Sequence, residues 1–354
     1  MTKEITYSTI TQQIKKLESQ KLIISDLNFA QKNLELYGYS NLIKSYREPY
    51  IIKQNELIEY RSGVSFEQIH SLYILDKNLR NSVIASMLDL EEHIKEVSAS
   101  VISSSFGIKR NDYLQYRNYA NKNKRKRRFT LRGILESLEK TCDTTKNPIH
   151  HYIDKYNDVP PWILFKSIYF STIINFIDLF KVNEQEELVK KLYDVKELNL
   201  PLSSLRKLMM DTLFICLEYR NIAAHGGRIY NHPIDYILRK DEIFGEEYSS
   251  LINGFSQLLF LLNLFEYKSP YIRLHKALER ELTRHCSEFP QDVTYLGQTL
   301  NINIEPTDYV FISPQKNIYH INRHCSGLIN AQQITLAEAQ AKNYCPCKKC
   351  NKSN

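Results

Sequence analysis

This 354-residue chain has one tryptophan, ten glycines and eleven prolines. So few turn-making residues exclude a fold of many short strands and favour long helices. Long apolar runs are missing as well. The longest, Leu258 to Phe265, falls far short of the ~20 residues that cross a bilayer, so a buried helix is expected there and no membrane partner. The opening residues, Met1 to Tyr7, lack the apolar core of a signal peptide, and a cytoplasmic protein is expected. Neither sign of charge dominates: 47 Lys and Arg against 40 Asp and Glu give a net +7, which permits a nucleic-acid partner without requiring one.

What the chain does have is aromatic side chains, 24 tyrosines and 15 phenylalanines, useful in a core and for stacking on bases. Apolar content of 43% and charged content of 25% are those of a soluble globular protein, and the length allows two or three domains. Seven cysteines are unevenly placed: Cys142, Cys216 and Cys286 are scattered, whereas Cys325, Cys345, Cys347 and Cys350 crowd the end. In a cytosolic chain such crowding favours metal over disulfide.

The chain is organised around Cys216 to Pro233. Leu205, Leu208, Met209, Leu213 and Cys216 recur at helical spacing, and Gly226-Gly227 stops the helix. Between them lie Arg220, a bidentate phosphate binder, and His225, which exchanges protons near neutrality. Five residues apart on an ideal helix, they stand about 140° apart around the axis. Either the glycine stop releases His225 from that geometry, or a second copy of the segment completes the site. An Arg and a His aimed at one phosphodiester suffice for metal-independent RNA cleavage, the His moving a proton and the Arg stabilising charge on phosphorus. Arg280 and His285 repeat the spacing without the Asn or the glycines and read as a solvated helix face.

Arg220, Asn221, Ala224 and His225, followed by Arg228, Tyr230 and Asn231, resemble the pattern of the Abi-like family of bacterial abortive-infection proteins (the AbiD and AbiF type), a branch of the HEPN superfamily. The resemblance extends over roughly the first 240 residues. Leu22-Ile23-Ile24-Ser25-Asp26 resembles the family's opening turn, Tyr37-Gly38-Tyr39 with Leu42 its Tyr-Tyr-x-Leu step, and Pro160-Pro161-Trp162 its Pro-x-Trp element. Leu75 to Arg80 and Leu90 to Lys95 resemble its Asp-x-x-Leu-Arg and Glu-x-x-x-Arg helix. Gly226 stands where the family often has a second His, and Lys95 where Arg is commoner. The resemblance implies a HEPN-type helical bundle and an anti-phage endoribonuclease. Arg220, Asn221 and His225 are then its catalytic residues, with no catalytic metal. It also implies a homodimer, RNA as substrate, and restraint or triggering by a phage product, a regulatory RNA or a protein. The rival is a non-catalytic RNA- or partner-binding HEPN protein.

In chain order, residues 1–60 are expected to form a helical extension, with Asp26 capping a helix and Tyr37 to Tyr50 making a turn and an extended piece. Residues 61–286 form the helical domain, with one long helix from Phe66 to Ser105. Asp76, Arg80, Glu91 and Glu92 on that helix either support the site or pair within the helix. Lys122, Lys124, Arg125, Lys126, Arg127 and Arg128 put six positive charges into seven residues and are read as an RNA-contacting loop, joined by Arg228. Ile163 to Phe180 is apolar enough to be central to the core or a dimer interface.

Residues 287–306 read as a linker and 307–354 as a small α+β zinc-binding module. Two strands, Tyr309 to Ile312 and Asn317 to His320, precede a capping box at Thr335 and Glu338. Cys347-Lys-Lys-Cys350 can occupy two corners of a zinc tetrahedron, with His320 and Cys325 at the others and Cys345 and His324 in reserve. The tail resembles a small zinc-binding tail of diverse bacterial proteins and, distantly, the metal-binding domain of Ada. Its zinc is expected to be structural, since four protein ligands leave no open position.

Overall fold

Thr9 and Asp26 start the first two helices. Thr9 and Gln12 form a capping box that opens α1 (Ile10–Ser19). The Phe29 N–H donates to Asp26 Oδ1 at 2.9 Å and opens α2 (Leu27–Tyr37), as the sequence predicts. The tyrosine-rich stretch that follows is a π-helical turn, Ser40–Lys44, and a 3-10 turn, Glu48–Tyr50. It leads into an antiparallel hairpin of β1 (Ile51–Gln54) and β2 (Leu57–Tyr60), which the sequence reading does not contain. Next comes α3 (Phe66–Phe106), 41 residues and about 60 Å long. Ile69, Leu72, Leu79, Val83, Met87, Leu90 and Ile94 are buried along it, as their spacing predicts.

The computed structural model describes residues 7–54, 57–122, 129–233, 254–304, 309–313, 316–320, 325, 328 and 331–349. Among them the chain is mostly helical, with small sheets, and no helix is long and apolar enough to cross a membrane. It divides into two compact units, Met1–Lys77 with Leu278–Asn354, and Asn78–Ala277. The divisions fall inside two long helices, Phe66–Phe106 and Ser269–Glu288.

The unit Asn78–Ala277 continues with α4 (Arg110–Tyr113), α5 (Leu131–Cys142) and α6 (Ile149–Tyr156). The apolar run from Ile163 is broken rather than continuous. It forms α7 (Pro161–Leu164), a 3-10 turn and α8 (Phe170–Ile177), because Ile168 and Tyr169 are extended. Its interior residues are core: Ile173, Phe176 and Phe180 are buried, and Tyr119 packs on Phe176 with ring centroids 4.7 Å apart. Then follow α9 (Val182–Leu192), α10 (Val195–Leu198), α11 (Leu202–Ala224), α12 (Gly254–Leu264) and α13 (Ser269–Glu288).

The unit holding both termini corrects two expectations. The presumed linker contains a 3-10 turn, Pro290–Asp292, and α14 (Val293–Leu300), whose Leu296 and Leu300 are buried. The presumed solvated face of α13 is half wrong: Arg280 is exposed, but His285 has no exposed surface. Its Nδ1 lies 2.9 Å from Ser71 Oγ and its Nε2 2.8 Å from Asp292 Oδ2. Asp292 also accepts from the Tyr50 hydroxyl at 2.6 Å and from Gln68 Nε2 at 2.9 Å. Tyr46 and Tyr50 are therefore core residues, Tyr46 donating to buried Asp76 at 2.6 Å.

The tail has its own small core, Val310, Ile312, Tyr319 and Ala339, under a four-stranded sheet. The two expected strands are β3 (Tyr309–Ser313) and β4 (Lys316–His320), paired antiparallel with Phe311 opposite His320. Two more flank them: β5 (Gln332–Thr335) along β3 and β6 (Cys345–Pro346) along β4. The capping box at Thr335 and Glu338 opens α15 (Leu336–Ala341).

Candidate functional site

Helix α11 buries the predicted stripe of Leu205, Leu208, Met209, Leu213 and Cys216. Burial pushes the Cys216 thiol well above its ordinary pKa, so it is a neutral core group rather than a nucleophile. The helix ends as its two glycines require. Gly226 has φ +73°, and the Gly227 N–H reaches back to Ile222 O at 2.9 Å while the Gly226 N–H reaches Ala223 O at 3.2 Å. A Cβ on Gly227 would stand 2.7 Å from Ile222 Cγ2. After the stop, Ile229 and Tyr230 are buried and fix the departing chain.

The stop does not release His225 from helical geometry. His225 is the helix cap, with φ −93° and ψ 10°, and its N–H still donates to Asn221 O at 3.1 Å. The left-handed step comes one residue later. Arg220 and His225 therefore keep their separation of about 140° around the axis. His225 is exposed and its ring has no hydrogen-bond partner among the described residues, while Arg220 and Asn221 are half-buried. The Arg220 guanidinium donates to Asn221 Oδ1 at 3.2 Å.

Arg220, Asn221 and Leu217 form one wall of a pocket of about 270 Å³. Tyr169, just before α8, and Phe170, Ser171 and Asn175 of α8 line it too, with Phe129; His225 is not among the lining residues. Two cations from α3 hold the surroundings. Arg80 donates to the carbonyls of Gly226 and Gly227 at 3.3 and 3.4 Å, a cation at a helix C-terminus. Lys95 pairs with Glu91 at 2.7 Å and donates to Ile168 O at 2.5 Å, beside the pocket wall. A pair absent from the sequence reading, Glu218 and His232, meets at 2.8 Å, with the imidazole edge-on to Tyr219. A carboxylate two residues before the Arg and a His two residues after Tyr230 were its only signal.

Arg228 is exposed just past the stop. Of the basic run only Lys122 lies among the described residues, and it pairs with Asp178 at 2.9 Å. Lys124, Arg125, Lys126, Arg127 and Arg128 lie outside them.

In the tail, the donor atoms of His320, Cys325 and Cys347 lie within 4.8 Å of one another, with His320 and Cys347 buried. The two sulfurs are 3.9 Å apart. That is far beyond a disulfide and close to the ~3.8 Å that two thiolates on one tetrahedral zinc require from Zn–S bonds of about 2.3 Å. The donor set and spacing thus fit a zinc ion. Cys345 is exposed on β6, and Cys350 and His324 lie outside the described residues.

Compared with known proteins, residues 32–231 match the model of the family described as Abi-like protein, more than half of the chain. No curated protein and no solved structure matches. The matched span runs from α2 to Asn231, just past the glycine stop.

Proposed function

This chain belongs to the Abi-like protein family, which links it to abortive infection and phage defence, and from that premise we propose that it is a HEPN-type endoribonuclease. The observation that carries the reading is the exposed His225 at a rigidly stopped helix end, one turn beyond a half-buried Arg220 that lines a pocket. His225 takes the proton from a ribose 2′-hydroxyl as that oxygen attacks phosphorus. The bond to the 5′-oxygen breaks, that oxygen takes up a proton, and a 2′,3′-cyclic phosphate is left. Arg220 stabilises the charge on the phosphoryl oxygens, and Asn221 holds the guanidinium. Because the two side chains diverge around one helix, Arg220 of one copy works with His225 of another in a homodimer.

The exposed Arg228 and the run of Lys124, Arg125, Lys126, Arg127 and Arg128 supply phosphate contacts, with Lys122 tied to Asp178 at their edge. The restraint on activity comes from a phage product or a regulatory RNA or protein. In the tail, His320, Cys325, Cys347 and Cys350 hold one structural zinc, which ties β4 to the residues after β6 and supplies no chemistry to cleavage.

The test is expression of wild type beside His225→Ala, scoring growth and the integrity of total RNA. Arrested growth with fragmented RNA only in wild type is expected. Equal arrest without fragmentation would favour a non-catalytic binding protein, the reading that the divergence of Arg220 and His225 within one chain supports.

A further inference from the structure

The pocket between α8 and α11 is not explained by cleavage alone. Tyr169 on its wall is 80% exposed, whereas Phe170 beside it is buried. Its backbone is nonetheless fixed. The Tyr169 carbonyl accepts the N–H groups of Thr172 and Ile173 at 2.9 and 3.1 Å. The preceding carbonyl, of Ile168, takes the Lys95 ammonium at 2.5 Å. An aromatic face carried into water on a fixed backbone has the form of a stacking platform.

Phe129, Phe170 and Leu217 supply the pocket's apolar lining, Phe170 buried. The two amides among its polar groups are complementary. Asn175 uses its amide donor on Ser171 O at 2.7 Å and keeps Oδ1 as an acceptor. Asn221 uses Oδ1 on Arg220 at 3.2 Å and keeps its amide as a donor. One donor and one acceptor beside an aromatic face match the edge of a nucleobase. The volume of about 270 Å³ is at the small end for a ligand site, enough for one base and too little for an extended ligand. Arg220 in the same wall is placed for the adjoining phosphate, and Phe129 directly follows Arg128, the last cation of the basic run.

We infer that this pocket is a subsite for a single unpaired RNA base, stacked on Tyr169, read by Asn175 and Asn221, and set beside the phosphate held by Arg220. The inference rests on the RNA reading above and adds to it that the enzyme grips a base flanking the cleaved bond. Tyr169 and Asn175 are binding residues here and take no part in proton transfer.

The experiment uses the full chain and a short fluorescent single-stranded RNA carrying 2′-O-methyl riboses, so that binding is read without cleavage. A single abasic residue is walked along the strand. Wild type should lose roughly 5- to 150-fold in affinity when the abasic residue falls in one register, the usual worth of one stacked base. Tyr169→Ala should lose a similar factor on the intact strand and become indifferent to the abasic residue, whereas Tyr169→Phe should behave as wild type. Tyr169→Ala binding as tightly as wild type, or abasic residues without effect in every register, overturns the subsite. Cleavage of the unmodified strand is measured in parallel. Cleavage without any abasic effect removes the subsite and leaves the ribonuclease, and an abasic effect without cleavage keeps the subsite and removes the ribonuclease.

Discussion

His70 on α3 should make the unit that contains both chain ends acid-sensitive well above the carboxylate range. Its ring stands edge-on to Phe29 at 4.8 Å, with Tyr37 and Tyr73 nearby, and its Nε2 is buried without a partner among the described residues. Burial first, and then the charges of Arg284 and Lys77, lower its pKa to about 4. The unfolded chain, with His70 near 6.5, then binds more protons than the folded one between those two values, so stability rises with pH across that window. The full benefit is present above about pH 6.5 and is lost as the pH falls. Linkage gives a loss of about 2 kcal/mol by pH 5 and about 3 kcal/mol by pH 4 relative to neutrality. His70→Phe keeps a ring in the aromatic cluster and cannot titrate. Urea unfolding followed by circular dichroism at pH 7, 5 and 4 should show the wild type losing that much more than His70→Phe. Parallel losses in both proteins would refute the reasoning, because no buried neutral imidazole would then be paid for in protons.

Other changes should separate structure from chemistry. Gly226→Ala forces a side chain into φ +73° and Gly227→Ala drives a Cβ to 2.7 Å from Ile222, so each should cost about 1–3 kcal/mol by thermal unfolding and move His225 enough to lower activity. His285→Ala removes one partner each from buried Ser71 and Asp292, which keep Arg284 and the Tyr50–Gln68 pair respectively, and should cost about 1–3 kcal/mol in unfolding, whereas Arg280→Ala on the exposed side should be silent. Metal analysis of protein purified under reducing conditions should find one zinc per chain, lost in Cys347→Ser with Cys350→Ser, while cleavage by the helical part survives deletion of residues 307–354 in vitro.

Local pattern was the legible part of this chain. The long stripe of α3, the caps at Asp26 and Thr335, and the end of α11 at Gly226-Gly227 are all decided by neighbours within one or two helical turns. What escaped depends on distant partners. His285 looks solvated beside Arg280, and its bonds to Ser71 and Asp292 hold it in the core. The helix α14 has Pro290 before it and Gly297 within it, so its composition reads as a linker although Leu296 and Leu300 bury it. The outer strands β5 and β6 are too short to show a period and exist because β3 and β4 offer them edges. The same division holds at the candidate site. Arg220, Asn221, His225 and the glycines form one contiguous motif, but Tyr169 and Asn175 come from a helix far away in sequence, and Arg80 from another. The sulfurs of Cys325 and Cys347 could be paired by spacing, and their separation of 3.9 Å adds a geometry that spacing could not supply.

The central claim is that His225 and Arg220 cut RNA through the 2′-hydroxyl. Its most direct measurement is incubation of purified protein with single-stranded RNA in EDTA, comparing wild type, His225→Ala and Arg220→Ala, and analysing the ends formed. Wild type should cut and leave 2′,3′-cyclic phosphates, each substitution should lower the rate by ~10²–10⁴-fold with folding unchanged, and a strand with 2′-deoxyribose throughout should stay intact. Undiminished cutting by His225→Ala, or cutting of the deoxy strand, would contradict the claim.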